Sequence, residues 1–414
     1  MEERALIAFV LALALTAAVT PLVARLARRV GALDPVQERG LASEPTPLLG
    51  GLAILAGVLV AGSLLLPATT EMRGILAAAL LITVVGLLDD LIDLPPQLKL
   101  LGQVAAGLIC VLSGVRVDDF TFPFVGRVDL GDLGGPLTLV GLVLVMNVVN
   151  FSDGVDGLAA GVCAISAVGF SVIAFDLGED AAGILAACIA GAALGFLIHN
   201  FHPASVFMGD SGSNLLGLLL GAVIVEGSLK TNALIALVVP LVILAVPFLD
   251  TGFVVAKRIK YRRPVYRGDS NHFHHRFHRM GFSQRKTVLY LYAWTTTMAG
   301  LAVALRFIPY SESNGHLNAG WAVVMGALML VGLGASVYLV YVLEILKLRR
   351  LRAWQLRKVD PDTSEHEIDA RFEEELETGE FAAVGGVNRT DARRAVGYRR
   401  RRPAVRPPGG EQET

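Results

Sequence analysis

Apolar runs of membrane-spanning length alternate along this chain with two very different kinds of polar junction. A helix needs ~20 mostly apolar residues to cross ~30 Å of hydrocarbon, and about eleven runs qualify. They are Leu6–Leu26, Leu48–Leu66, Gly74–Leu88, Leu98–Val115, Leu137–Phe151, Leu158–Phe175, Ala181–Ile198, Asn214–Val225, Leu234–Val255, Thr287–Phe307 and Trp321–Leu346. The third, fifth and eighth are short. None alternates like a strand, and lipid leaves only helices or closed barrels to satisfy the backbone. The pattern therefore predicts an all-α polytopic membrane protein, a bundle of about eleven transmembrane helices. Every second junction is dense in carboxylates, amides or histidines: DDLIDLPPQ (Asp89 to Gln97), NVVNFSDGVDGLAAG (Asn147 to Gly161), HNFHPASVFMGDSGSN (His199 to Asn214) and KRIKYRRPVYRGDSNHFHHRFHR (Lys257 to Arg279). The junctions between these carry almost none. Polar chemistry gathered on one face points to an enzyme or ligand binder working there.

Composition removes the soluble alternatives, since 54% of the 414 residues are hydrophobic and only 18% are charged. A net charge of −1 decides nothing about an anionic partner, and no feature calls for nucleic acid. The distribution of cations is more informative. Arg25, Arg28, Arg29 and Arg39 follow the first run, Lys257 to Arg267 the ninth, and Lys347 to Arg352 the eleventh. The positive-inside rule then puts the N-terminus outside, the C-terminus in the cytoplasm, and every polar cluster on the cytoplasmic face of a multi-pass protein of the cell (plasma) membrane. The first run leads straight into Arg25 and Arg28 and reads as a retained span rather than a removed signal peptide. Residues 1–350 form the membrane domain. The charged segment 351–414 is expected to be a disordered cytoplasmic tail, its basic run Arg393–Arg406 solvated or touching anionic lipid. Cys110, Cys163 and Cys188 fall inside spans without metal-ligand spacing and read as small buried apolar residues. The outer junction Arg116–Pro136 is rich in Val, Phe and Gly and suggests a small surface hairpin.

Three junctions combine the parts of a phosphoryl-transfer site. Asp89, Asp90 and Asp93 crowd a span end near Lys99; such acids are either solvated boundary residues or are held together by a cation or a shared proton. Magnesium suits the second case, because it prefers oxygen ligands and uses one or two carboxylates with substrate phosphates. Asn147 and Asn150 stand one turn apart, and Asp153 and Asp156 are each followed by glycine, which permits unusual backbone angles near a ligand. An ordinary Asx turn explains one Asp-Gly pair but not two with two amides. Asp210 is either a site acid or the N-cap of the next helix, and Phe207 either a stacking platform or a lipid-facing ring. His272, His274, His275 and His278 lie among arginines without cysteine, which fits a phosphate surface better than zinc. Asp250 is an intramembrane acid that is functional or paired with Lys257 or Arg258.

The ordered motifs PTPLLGG, GLLDD, NVVNFSDGVDGLAAG, NFHPASVFMGDSG and HFHH, from about Leu33 to Arg285, resemble the polyprenyl-phosphate N-acetylhexosamine-1-phosphate transferases, the family that includes MraY and WecA. The resemblance implies transfer of a sugar 1-phosphate from a UDP-sugar to undecaprenyl or decaprenyl phosphate in the membrane, with release of UMP, dependence on Mg2+ (Mn2+ as a substitute) and a homodimer as a further partner state. It implies that Asp89 and Asp90 engage the lipid phosphate as base or nucleophile, with Asp153 as a third catalytic acid. Asp210, helped by Asn147, would hold the metal. Asp153, Asp156, Asn150, Asn200 and Phe207 would frame the nucleotide, and His272, His274 and His275 the diphosphate. The His-x-His-His spacing is similar to the N-acetylglucosamine branch and favours UDP-N-acetylglucosamine. The muramoyl-pentapeptide branch, with three consecutive histidines, is the first alternative, and an ion-coupled transporter is the alternative of another class. The family's basic pattern ahead of PTP is reduced here to Arg39 within QERGLASE.

Overall fold

In the computed structural model the described residues are 2–34, 45–122, 126–228, 284–307 and 318–341, with the isolated positions Leu244, Phe248, Arg357 and Ser364. They form ten α-helices: α1 (Glu2–Val30), α2 (Gly50–Leu65), α3 (Thr70–Ile92), α4 (Pro96–Leu112), α5 (Gly134–Ser152), α6 (Leu158–Asp176), α7 (Asp180–Asn200), α8 (Gly209–Ser228), α9 (Gln284–Phe307) and α10 (Ala319–Tyr341). Six are long and apolar enough to cross a membrane, and α2 and α4 are shorter apolar helices. The protein is thus a multi-pass membrane protein. Each expected span but one meets a helix; apart from Leu244 and Phe248, Leu234–Val255 lies outside the described residues, as do the end of the eleventh span and, apart from Arg357 and Ser364, the tail. The described helices, up to Val340, belong to one compact unit, Met1–His274 with Gln284–Val340; a second, His275–Ser283 with Tyr341–Thr414, consists almost wholly of residues outside the described set.

The spans that look short in sequence are full helices of 23, 19 and 20 residues for α3, α5 and α8. Their polar ends remain helical. In α3 the Thr69 hydroxyl accepts the Met72 N–H (3.3 Å) and starts the helix ahead of the apolar run, while the other end continues through Asp89 and Asp90 to Ile92. The wholly helical expectation needs one addition: two short antiparallel pairs occur among the described residues. One joins β1 (Leu33–Asp34) to β2 (Thr46–Pro47), and the other joins β3 (Asp119–Phe122) to β4 (Gly126–Asp129). The second is the hairpin expected within Arg116–Pro136.

Helices α6, α7 and α8 make the interior, with Phe170, Phe196 and Ile184 fully enclosed. Alanine and glycine dominate α7, and small side chains let helix backbones approach where lipid offers no hydrophobic drive between helices. Helix α1 lies along α7 and α2, and α9 packs on α6. The Trp294 indole N–H donates to Ser336 Oγ (3.0 Å) and ties α9 to α10. Cys110, Cys163 and Cys188 are free and buried, as expected.

Close packing also seats the amino end of α8 against α2 and α3. A Cβ on Gly51 would lie 2.3 Å from the Gly212 nitrogen, and one on Gly86 would lie 2.4 Å from Ser211 Cα. These are backbone obstacles, so a larger side chain must push helices apart. Gly86→Val is expected to cost ~1–3 kcal/mol and lower the melting midpoint in detergent. Gly141→Ala, which meets nothing within 4 Å, should melt close to the parent, and equal midpoints for both variants would contradict this packing.

Candidate active site

The corner between α3 and α4 holds the first cluster. Asp93 ends α3 in the left-handed region (φ 51°), and Pro95 and Pro96 start α4 at once. Asp89, only 8% exposed, accepts the Leu94 N–H on Oδ1 (2.8 Å), which fixes the corner, and its Oδ2 ion-pairs with Lys99 Nζ. Lys99 also reaches Asp210 Oδ2 at 3.2 Å. A cation in the first turn of a helix is opposed by the helix dipole. Here two carboxylates from other helices offset that cost.

Asp90 faces the amino end of α8. Its Oδ1 accepts the Asp210 N–H (2.7 Å) and its Oδ2 the Ser211 N–H (3.2 Å). The first N–H groups of a helix have no partner within it, and a carboxylate there also meets the positive end of the dipole. The cap of α8 is therefore a side chain 120 residues away, and Asp210 keeps its own carboxylate for Lys99. Gly209 makes room: it adopts φ +70°, and a Cβ there would lie 2.4 Å from Asp90 Oδ2.

The amides of α5 reach the same helix. Asn150 Nδ2 donates to Ser213 Oγ (2.9 Å), and the Asn150 side chain also bonds the Asp210 carboxylate. Asn147 Nδ2 donates to Gln103 Oε1 and to the Val143 carbonyl, both at 2.8 Å.

The remaining polar residues sew the junctions together. Asp156 Oδ2 accepts the Ala204 N–H (3.1 Å) and lies 2.8 Å from His202 Nδ1. Asn200, 3% exposed, takes the Gly157 N–H on Oδ1 and gives Nδ2–H to the Val206 carbonyl, both at 2.9 Å. Gly157 opens α6 in the left-handed region (φ +80°), and the Tyr292 hydroxyl donates to its carbonyl. Phe207 acts here through its backbone: its N–H donates to Pro47 O (2.8 Å), and its carbonyl accepts the Gly50 N–H (3.0 Å). Met208 O accepts the Gly51 N–H (3.0 Å), so the PTPLLGG and VFMGDSG segments dock on one another and satisfy the start of α2.

Asp153 caps the C-terminal end of α5, its N–H bonded to Asn150 O (3.1 Å). Burial first, then the carboxylates of Asp210, Asp90 and Asp156, push its pKa up to about 8. The charges of Asp90, Asp156 and Asp210 thus all reach Asp153. The donors are oxygens throughout, which suits a hard divalent cation that takes one or two carboxylates and leaves its other positions to water and phosphate. Among the described residues no three His, Cys, Asp or Glu side chains enclose a metal by themselves. The Lys99 ammonium between Asp89 and Asp210 marks where positive charge is held.

The structure brings together Asp89, Asp90, Asn147, Asn150, Asp153, Asp156, Asn200, Phe207 and Asp210 at one set of helix ends. His272, His274, His275 and Asp250 lie outside the described residues. Sequence reading missed Gln103, Ser213, Asn214 and Tyr292. Gln103 had a signal, since it is an amide within an apolar run one turn after Lys99.

A family model described as "Glycosyl transferase family 4" matches residues 72–228. A Bacillus subtilis protein named probable undecaprenyl-phosphate N-acetylglucosaminyl 1-phosphate transferase is 38% identical over 292 residues, 70% of this chain and 81% of that protein. The decaprenyl-phosphate N-acetylglucosaminephosphotransferase of Mycobacterium leprae is 35% identical over 81% of this chain and 90% of its own length. A phospho-N-acetylmuramoyl-pentapeptide-transferase of Desulforamulus reducens is 34% identical over 73% of this chain and 95% of its own.

The Asp153 proton makes stability depend on pH. Its ordinary pKa is 3.8, so between about pH 4 and pH 8 the folded chain retains a proton that the unfolded chain releases. The stability tied to that proton is complete below pH 4 and is lost as pH rises through 8. Melting midpoints in EDTA should therefore fall from pH 5 to pH 8 more steeply for the parent than for Asp153→Asn. Parallel curves would contradict the raised pKa.

Proposed function

Because the chain belongs to glycosyl transferase family 4, we propose that it transfers N-acetylglucosamine 1-phosphate from UDP-N-acetylglucosamine to a polyprenyl phosphate, undecaprenyl or decaprenyl. A phosphate oxygen of the lipid attacks the phosphorus that carries the sugar. The bond from that phosphorus to the UMP oxygen breaks, UMP leaves with its electron pair, and a polyprenyl-diphosphate-linked sugar remains in the membrane. The observation that carries this reading is the convergence of Asp89, Asp90 and Asp210 around Lys99, with Asp153 beside them. Four acids at one point suit a reaction between two anions only if cations offset the repulsion.

In this reading the residues divide their work. Asp210 and the Asn147 carbonyl oxygen face the divalent cation, magnesium with manganese as a substitute; when bound, it neutralises the donor diphosphate and stabilises charge on the leaving UMP. Asp89, held by Lys99 and the Leu94 N–H, faces the lipid phosphate. Asp90 serves by fixing the start of α8 and with it Asp210. Asp153, protonated at neutral pH, is a hydrogen-bond donor to a phosphate oxygen. Asp156 and Asn200 brace the loops beside the nucleotide, with Phe207 at their edge. His272, His274 and His275 contact the diphosphate, and the site opens to the cytoplasm.

Purified full-length protein given radiolabelled UDP-N-acetylglucosamine, polyprenyl phosphate and Mg2+ should form labelled lipid and release UMP. Asp210→Asn should reduce turnover by ~100-fold or more while still melting cooperatively. Transfer from UDP-N-acetylmuramoyl-pentapeptide in place of UDP-N-acetylglucosamine would overturn the donor assignment, and normal turnover by Asp210→Asn would overturn the site.

A further inference from the structure

Beneath Asp210 three amide side chains are joined end to end. Asn147 of α5 donates Nδ2–H to Gln103 Oε1 of α4 (2.8 Å), Gln103 donates Nε2–H to Asn214 Oδ1 of α8 (2.8 Å), and Asn214 donates Nδ2–H to the Asp210 carbonyl (2.8 Å). The direction of this chain is set at both ends by backbone. The Val143 and Asp210 carbonyls can only accept, so Asn147 and Asn214 must each turn their NH2 groups toward them. Gln103 must then present its oxygen to Asn147 and its nitrogen to Asn214. Both hydrogens of Asn147 are thereby used, which leaves its side-chain oxygen as the acceptor it can offer another partner.

Gln103 and Asn214 are each only 6% exposed. An amide so buried that loses its partner bears a desolvation cost and swings to find another. Lys99 stands one turn before Gln103 on α4 and holds the Asp210 side chain, while Gln103 through Asn214 holds the Asp210 main chain. One helix thus grips Asp210 at two places.

From this geometry we propose that Gln103 and Asn214 are positioning residues, whose directed hydrogen bonds set the Asp210 carboxylate and the Asn147 carbonyl oxygen as paired oxygen donors for the divalent cation. The inference rests on the cation reading above. Neither residue touches substrate. Removal of a hydrogen-bonding group behind a metal ligand typically lowers metal affinity ~10–100-fold, whereas a purely structural tie between α4, α5 and α8 would lower only stability.

The test uses full-length protein in detergent and Mn2+ alone, with free Mn2+ read by electron paramagnetic resonance. Gln103→Leu and Asn214→Leu should each bind Mn2+ ~10-fold or more weakly at temperatures where melting curves show them folded. Their Mg2+ activation curves should shift to higher concentration, with the KM for UDP-sugar at saturating Mg2+ little changed. Gln103→Met keeps the length of the side chain without its acceptor for Asn147 or its donor for Asn214; it should bind Mn2+ more weakly too, and it carries the test if the leucine variants do not fold. Parent-like Mn2+ affinity in folded variants overturns the positioning role alone. A parent protein that binds no Mn2+ removes the cation reading, and this inference with it.

Discussion

The pair of hydrogen bonds from the Asp210 and Ser211 N–H groups to the Asp90 carboxylate is the joint on which this end of the bundle depends. A helix that begins inside a protein, away from bulk water, must find acceptors for its first N–H groups, and α8 finds them on α3. The contact does three things together. It registers α3 against α8, it brings Asp89 to the far side of Lys99, and it leaves Asp210 at the start of a helix with its side chain directed to the same lysine. Close packing at Gly51 and Gly86 permits the approach, and the joint gives it direction.

Gathering acids in this way carries an electrostatic cost that the described residues offset by three means. Lys99 supplies a full charge to two carboxylates, backbone and helix-end N–H groups supply partial charge to Asp89 and Asp90, and Asp153 retains a proton. Each is reversible by substrate or cation in a way that buried apolar packing is not. On the function proposed above, the site would receive a diphosphate, a lipid phosphate and a cation and would have to exchange charges of both signs without unfolding its corner, a demand that replaceable compensation meets.

The helices were legible in the sequence because lipid imposes one rule everywhere: long apolar runs form helices. Ten expected spans appear as helices among the described residues, and the hairpin at Arg116–Pro136 was also readable, since its aromatic and glycine content breaks the helical pattern. That the acids and amides of the described junctions meet was readable too, because such residues at the ends of apolar runs have few bland explanations; the expected histidines lie outside the described residues. The role of each member was not readable. Asp90 as the distant cap of α8, or Asn200 as a brace between the Gly157 N–H and the Val206 carbonyl, depends on which backbone groups happen to lie opposite. Gln103 and Asn214 stayed hidden for a related reason: an amide inside a span gains meaning only through partners on other helices.

The distribution of polar work at this face follows from rigidity. Side chains that bond backbone on both sides, such as Asn200, or that stitch a loop to its neighbour, such as Asp156, leave little capacity for a ligand, yet they hold the junctions still. Side chains that meet only other charges or amides, above all Asp210 and Lys99, keep the freedom to change partners. Beyond the short pair of Leu33–Asp34 with Thr46–Pro47, precision in the loops that span these helix ends comes from such braces. Most of the polar residues here therefore act as framework, and the small remainder, centred on Asp210, is where the proposed function would have a charged ligand replace an internal partner.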